Sequence, residues 1–330
     1  MNKGPNRVRV IVAGVLALGV SVFGCAGLSK TDPVRGYLYV TNEGSNELTV
    51  IDLSNATTVN TIGTKPMPGG IVTSMDGRYA FVANYSGTVS KIDLSTGEIV
   101  SDVKSGEGTT GLAIMPDGKT LYATNRNSKN VSVIGTDDMA VRNRIPVGSG
   151  PSYIAMSRDG QFVYVSNSIS DEVSIIETAS NRVVNTVKVG EMPTGIAVTP
   201  DNRYVFVADF PRGIQVIDTA EWTVIKSIAA DSFPAGMAVS PDGRFLYATN
   251  VSTDNVLVVD TTSLEVVQKI VTGNIPVQIE LSHDGRSAYV LNEGSNSVSL
   301  IDLSSGKVLK NVKVGDRPSG VKFQNLLTEK

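Results

Sequence analysis

The chain has 330 residues, 41% hydrophobic, 18% charged and 6% aromatic, with 32 glycines. Its formal net charge of −3 argues against nucleic acid as a partner, because phosphate contacts need clustered Lys and Arg. A single Cys and a single His exclude an internal disulfide and leave most zinc, copper and haem sites short of ligands, so no metal and no cofactor is expected.

At the N-terminus, Lys3, Arg7 and Arg9 precede an uncharged run from Val10 to Ser29. A basic start followed by an apolar stretch is a secretory signal and is set apart from the fold. The run ends Val22-Phe23-Gly24-Cys25-Ala26-Gly27, which resembles a bacterial lipobox, although Phe23 departs from the small or aliphatic residue usual there. Residues 1–24 are therefore read as a signal peptide, Cys25 as the lipidation site and 25–33 as a short linker. The competing readings are an ordinary signal or an uncleaved anchor, since the run approaches the ~20 residues needed to span a bilayer. Removing residues 1–24 takes away three basic charges and leaves a net charge of −6. The expected location is the cell envelope, on its periplasmic or surface side, with the membrane as a partner through the lipid.

From residue 34 onward the chain repeats. Tyr39-Val40-Thr41-Asn42 has near-copies ending at Asn84, Asn125, Asn167, Asp209, Asn250 and Asn292, spaced by 42, 41, 42, 42, 41 and 42 residues. So steady a period, built on β-branched and aromatic residues, is that of a β-propeller. These residues resemble the YVTN β-propeller repeat family over nearly everything after residue 34. The resemblance implies a cell-surface or periplasmic role and leaves the ligand open.

The repeat beginning at Pro193 shows one blade. Ile196–Thr199 predicts a first strand, Arg203–Asp209 a second, Ile214–Asp218 a third and Thr223–Ile228 a fourth, joined by tight turns. Asp-Gly recurs between first and second strands at 76–77, 117–118, 159–160, 242–243 and 284–285, with Asp201-Asn202 as a variant. This pair suits a two-residue hairpin with positive φ angles. Aspartates 52, 93, 218 and 302 recur between third and fourth strands, and are read as acceptors of local turn hydrogen bonds rather than metal ligands. The last repeat ends in an unpaired first strand, Pro318–Phe323, while the mature chain opens on an unpaired second strand, Gly36–Asn42. The two complete one blade. The expected fold is all-β: a seven-bladed β-propeller of four-stranded antiparallel blades over residues 34–324, monomeric, with 325–330 as a C-terminal tail.

His283, in a turn, is read as a turn residue rather than a base. No Ser-His-Asp set, phosphate loop or paired-cysteine site is present, so no catalytic residue is assigned. The Asn closing each repeat is taken as structural, bonding the backbone of the following turn, and Asp209 stands out from it. The Asp-Gly and Ile-Asp turns share one face of the disc. The connections on the other face vary, and loops freed from a consensus are where specificity resides. The expected function is that of an exported, membrane-anchored binding or scaffold protein that takes a protein, glycan or small ligand on the variable face. The alternative is a lactonase-like hydrolase working at the channel mouth, because lactonases share a similar propeller. A third class, an electron-transfer or quinone-cofactor partner, has only fold analogy behind it.

First strands should pack innermost. Small residues recur there at alternate positions, Gly70, Gly111, Gly195, Gly236 and Gly320, then Val72, Ala113, Ala155, Ala197 and Ala238. Tyr153 and Gln278 replace the glycine; Glu280 and Lys322 replace the alanine. Glu280 and Lys322 hold equivalent positions in consecutive blades and are expected to face each other beside the channel. Tyr153 and Gln278, with Asp209 and Arg212 on nearby loops, complete the candidate ligand site.

Overall fold

The computed structural model of the protein describes residues 36–210, 213–230 and 233–325. The stretches expected to be a signal peptide and a linker, with Cys25, and also Arg212, lie outside the described residues. Those residues form 28 strands and a single 3-10 turn at Glu293–Ser295. The strands are arranged as seven four-stranded antiparallel sheets, which gives the seven-bladed propeller. In the blade read from sequence, the second strand is Tyr204–Asp209 and the outer strand Thr223–Ile228, while its inner strand is cut to Ile196–Val198.

The repeat motif makes the second strand of each blade. Its aromatic residue (Tyr39, Phe81, Tyr122, Tyr164, Phe206, Tyr247 or Tyr289) is buried, and its flanking Val, Ala and Leu are buried as well. Period-two alternation sends successive side chains to opposite faces of the blade, and both faces are covered by neighbouring blades. The result is seven apolar clusters, each joining residues of adjacent blades in the manner of Phe81 and Leu121 or Phe206 and Leu246. Burying one such aromatic side chain contributes roughly 1.5–3 kcal/mol.

Inner strands pack against the inner strands of both neighbours, and the ring closes where Pro318–Asn325 meets Pro68–Thr73. The closing blade runs Pro318–Asn325, Gly36–Asn42, Glu47–Asp52, Thr57–Gly63. Its shared ladder sets Tyr39 opposite Lys322 and continues to Gly36 opposite Asn325. Gln324 belongs to this strand and its Oε1 accepts from Thr73 Oγ1 at 2.6 Å.

The Asp-Gly turns differ from the two-residue hairpin that the dipeptide suggests. Ser74 N donates to Tyr79 O at 2.9 Å, so the loop spans four residues, and only Gly77 takes a positive φ, +67°. Asp76 works as an acceptor: its Oδ1 receives Ser74 Oγ at 2.5 Å and Arg78 N at 3.1 Å. The pattern recurs with Ser157, Thr199, Ser240 and Ser282 donating to Asp159, Asp201, Asp242 and Asp284. The hydroxyl two residues before the Asp is thus part of the motif. At the third-to-outer turns, Asp52, Asp93, Asp218 and Asp302 each accept from the backbone N–H two residues on, at 2.8–2.9 Å.

Every outer strand carries a β-bulge at one position, occupied by Val59, Val100, Arg142, Val184, Ile225, Val267 and Leu309. These residues oppose nothing on the third strand and point outward, Leu309 being 69% exposed. A bulge twists an edge strand away from foreign pairing, so the outer rim of the disc is guarded blade by blade.

Candidate functional site

The axis of the disc is built by backbone. At Gly195 an added Cβ would stand 1.8 Å from Ala235 O, and at Gly320 2.4 Å from Gly69 O. The small-residue pattern in the inner strands therefore lets each strand abut the carbonyls of the next. Where the pattern breaks, side chains enter the axial space. Tyr153 and Gln278 both line a cavity of about 580 Å³ at the mouth of the channel, on the face of the variable connections. Burial, with the Glu293 carboxylate adding to it, pushes the Tyr153 phenol above its ordinary value of 10, so it stays a neutral donor.

Two residues beyond Gln278, Glu280 Oε1 accepts from Nζ of Lys322, which lies two residues beyond Gly320 on the next inner strand. Their side chains keep 30% and 22% of their exposure. Neither lines the mouth cavity. The pair expected from the register is present, and it satisfies itself below the pocket.

Asp209 is placed elsewhere than the sequence suggested. It is fully buried inside its blade and accepts from Gln215 Nε2 at 2.8 Å. Its equivalents explain this. Asn42, Asn84, Asn125, Asn167 and Asn292 are buried too, and each donates its amide to a third-strand hydroxyl, Thr49, Ser90, Ser132, Ser174 or Ser299, at 2.8–2.9 Å. Contacts to turn carbonyls are longer, such as Asn42 Nδ2 to Glu47 O at 3.5 Å. The Asn ties the second strand to the third rather than to the turn. In the fifth repeat the polarity is inverted, an acid accepting from an amide. The charge at Asp209 serves the blade and does not reach the cavity. His283 is exposed in its turn on the opposite face, its ring edge-on to Phe323 at 5.1 Å. Among the described residues no three His, Cys, Asp or Glu side chains gather as a metal site.

The mouth holds one residue that sequence reasoning passed over. Arg126 follows the third repeat's Asn and lines the cavity with Tyr153 and Gln278. Its Nη1 donates to Ser152 Oγ and, at 2.9 Å, to Ser168 Oγ. Both hydroxyls donate onward to Gly150 O at 3.0 Å, which leaves their lone pairs to the guanidinium. Glu43, also on the cavity wall, is held by Arg317 at 3.3 Å, and the same guanidinium lies 3.6 Å from Glu293. Arg126, Glu43 and Glu293 all sit immediately after the closing residue of a repeat. That register was the available signal.

Residues 14–203, more than half of the chain, match the family described as YNCE-like beta-propeller. The chain belongs to the YNCE-like β-propeller family. Residues 212–323 of this YNCE-like propeller also match the family described as lactonase, 7-bladed beta-propeller. Dihydro-heme d1 dehydrogenase of Pseudomonas aeruginosa is 25% identical over 118 residues, 36% of this chain and 24% of that protein. The match therefore spans about a quarter of that relative's length. Among solved structures, hydrazine synthase of Kuenenia stuttgartiensis superposes with a TM-score of 0.75 at 22% identity, covering 86% of this chain and 99% of that one. A putative 6-phosphogluconolactonase of Bacteroides fragilis gives 0.72 at 18% identity, covering 91% and 100%. At such identities the YNCE-like chain shares with these structures its fold.

Proposed function

We propose that this YNCE-like propeller, of the YVTN-repeat type, is an exported, lipid-anchored binding protein that takes a small ligand in the cavity at the variable-face mouth of its channel. One observation carries the reading: the two residues that break the inner-strand glycine pattern, Tyr153 and Gln278, both line the same cavity. Its volume of about 580 Å³ falls in the range of small-molecule sites, roughly 300–1,000 Å³. The cavity offers an apolar wall, a phenol, an amide and a guanidinium, which recognise and orient a ligand. The one carboxylate of the wall, Glu43, is already paired with Arg317.

The chain enters the disc at Gly36, beside Asn325 on the Asp-Gly face. A lipid on Cys25 would tether the disc to the membrane through the chain between Cys25 and Gly36, at most about 40 Å when extended. Cys25→Ser should release the propeller from the membrane fraction; a variant still acylated and membrane-bound would refute the anchor.

The second reading, lactone hydrolysis, is favoured by the lactonase-family match over residues 212–323. A panel of sugar and aliphatic lactones separates the two. Binding without turnover supports a binding protein, and turnover abolished by changing Tyr153 or Gln278 supports the enzyme.

A further inference from the structure

The geometry points to Arg126 as the ligand's anchor: the mouth cavity selects a small monocarboxylate carried on an apolar or aromatic body. This rests on the cavity reading above and adds the ligand's charge.

The other charged groups that line the mouth or join its inner strands are compensated. Glu43 and Glu293 share Arg317, and Glu280 holds Lys322. Arg126 alone among these meets no carboxylate within ion-pair distance. Its Nη1 is fixed by Ser152 and Ser168, each committed to Gly150 O as a donor. One edge of the guanidinium is thereby held, while Nε and Nη2 donate to no described protein group and remain available to a ligand in the cavity that Arg126 lines. A planar fork of this kind matches the two oxygens of a carboxylate.

The balance of charge favours one negative charge. A phosphate monoester near neutral pH brings about −1.5 to −2, against one unpaired cation on a wall that also carries Glu43. Neutral donors fit the rest of an oxygen-bearing anion: the Tyr153 hydroxyl and the Gln278 amide. Met67 and Tyr85, on the same wall and 42% and 36% exposed, offer contact to an apolar body.

The test titrates the full chain with benzoate, phenylacetate and indole-3-acetate, each beside its carboxamide, with phenyl phosphate as a further anion. At least one carboxylate should bind more tightly than its amide by about tenfold to a hundredfold, as loss of a charge-assisted pair implies. Arg126→Gln should erase that preference and Arg126→Lys restore part of it. Because Arg126 also ties Ser152 to Ser168, a wild-type measurement stands beside the variants: carboxylate affinity should fall with added salt while carboxamide affinity does not. Carboxamides that bind as well as their carboxylates, with affinity dependent on Tyr153 and Gln278, would overturn the anion selectivity and leave the cavity reading standing. Phenyl phosphate preferred over every carboxylate would overturn the single-charge argument. If no member of any pair binds, the inference falls with the cavity reading.

Discussion

Gly195→Ala is the sharpest test of how the ring is built. An ideal Cβ there lies 1.8 Å from Ala235 O, where ordinary contact is 3.4–4 Å. The obstacle is backbone of the next blade, so no side chain can swing aside, and the two inner strands must part by about 1.5 Å at the axis. Overpacking of this order costs about 1–3 kcal/mol. For a folded span of 36–325 at about 2.1 cal/mol/K per residue, each kcal/mol moves the melting temperature by about 1.6 °C, which predicts a fall of about 2–5 °C. The control is Gly63→Ala on an outer strand, where nothing lies within 4 Å of the added carbon. It should leave the melting temperature unchanged or raise it slightly, by the unfolded-state effect of ~0.4–1 kcal/mol. Thermal melts followed by circular dichroism read both. If Gly195→Ala melts with the wild type, the inner strands do not abut as described and the channel is wider than the cavity argument needs.

Two further outcomes follow from the same contacts. Lys322→Met should destabilise by about 1–2 kcal/mol by stranding Glu280, and adding Glu280→Gln should recover most of the loss, since a partly buried pair is worth little net. Strictly additive single effects in the cycle would contradict the pairing. The turn aspartates set the acid limb of stability. Donation from Ser74, Thr199 and Ser240 holds Asp76, Asp201 and Asp242 below the ordinary 3.8. A carboxyl depressed in the folded state adds stability that is full above 3.8 and is lost as pH falls through the lower folded value. Urea midpoints should therefore drop as pH is lowered below about 4, and less steeply in Ser240→Ala; midpoints independent of pH in that range would refute the assignment.

The fold was legible because each blade states it again. Seven copies of a buried aromatic strand, and two half-blades at the chain ends, leave one way to close the ring. The Glu280–Lys322 pair was legible for the same reason, since equivalent positions in consecutive inner strands must face each other. The misreadings arose where a motif hides its partner. Asp-Gly names the positive-φ residue but not the upstream Ser or Thr whose hydroxyl the Asp accepts. Asp209 shows a charge, while its meaning depends on Gln215, six residues on and across the hairpin. Arg126 was passed over because its role lies in contacts to Ser152 and Ser168, from the inner strand and loop of the next blade. Sequence displays that residue only as one of several variable loop positions.

The central claim is that the mouth cavity is the binding site, and calorimetric titration of a small-ligand library against wild type and a Tyr153→Ala/Gln278→Leu double variant tests it most directly. The account predicts that a ligand of the wild-type chain loses at least about tenfold in affinity, roughly 1.4 kcal/mol, in a variant that still unfolds cooperatively above the assay temperature. Equal affinity in both proteins would place the ligand elsewhere on the disc and contradict the account.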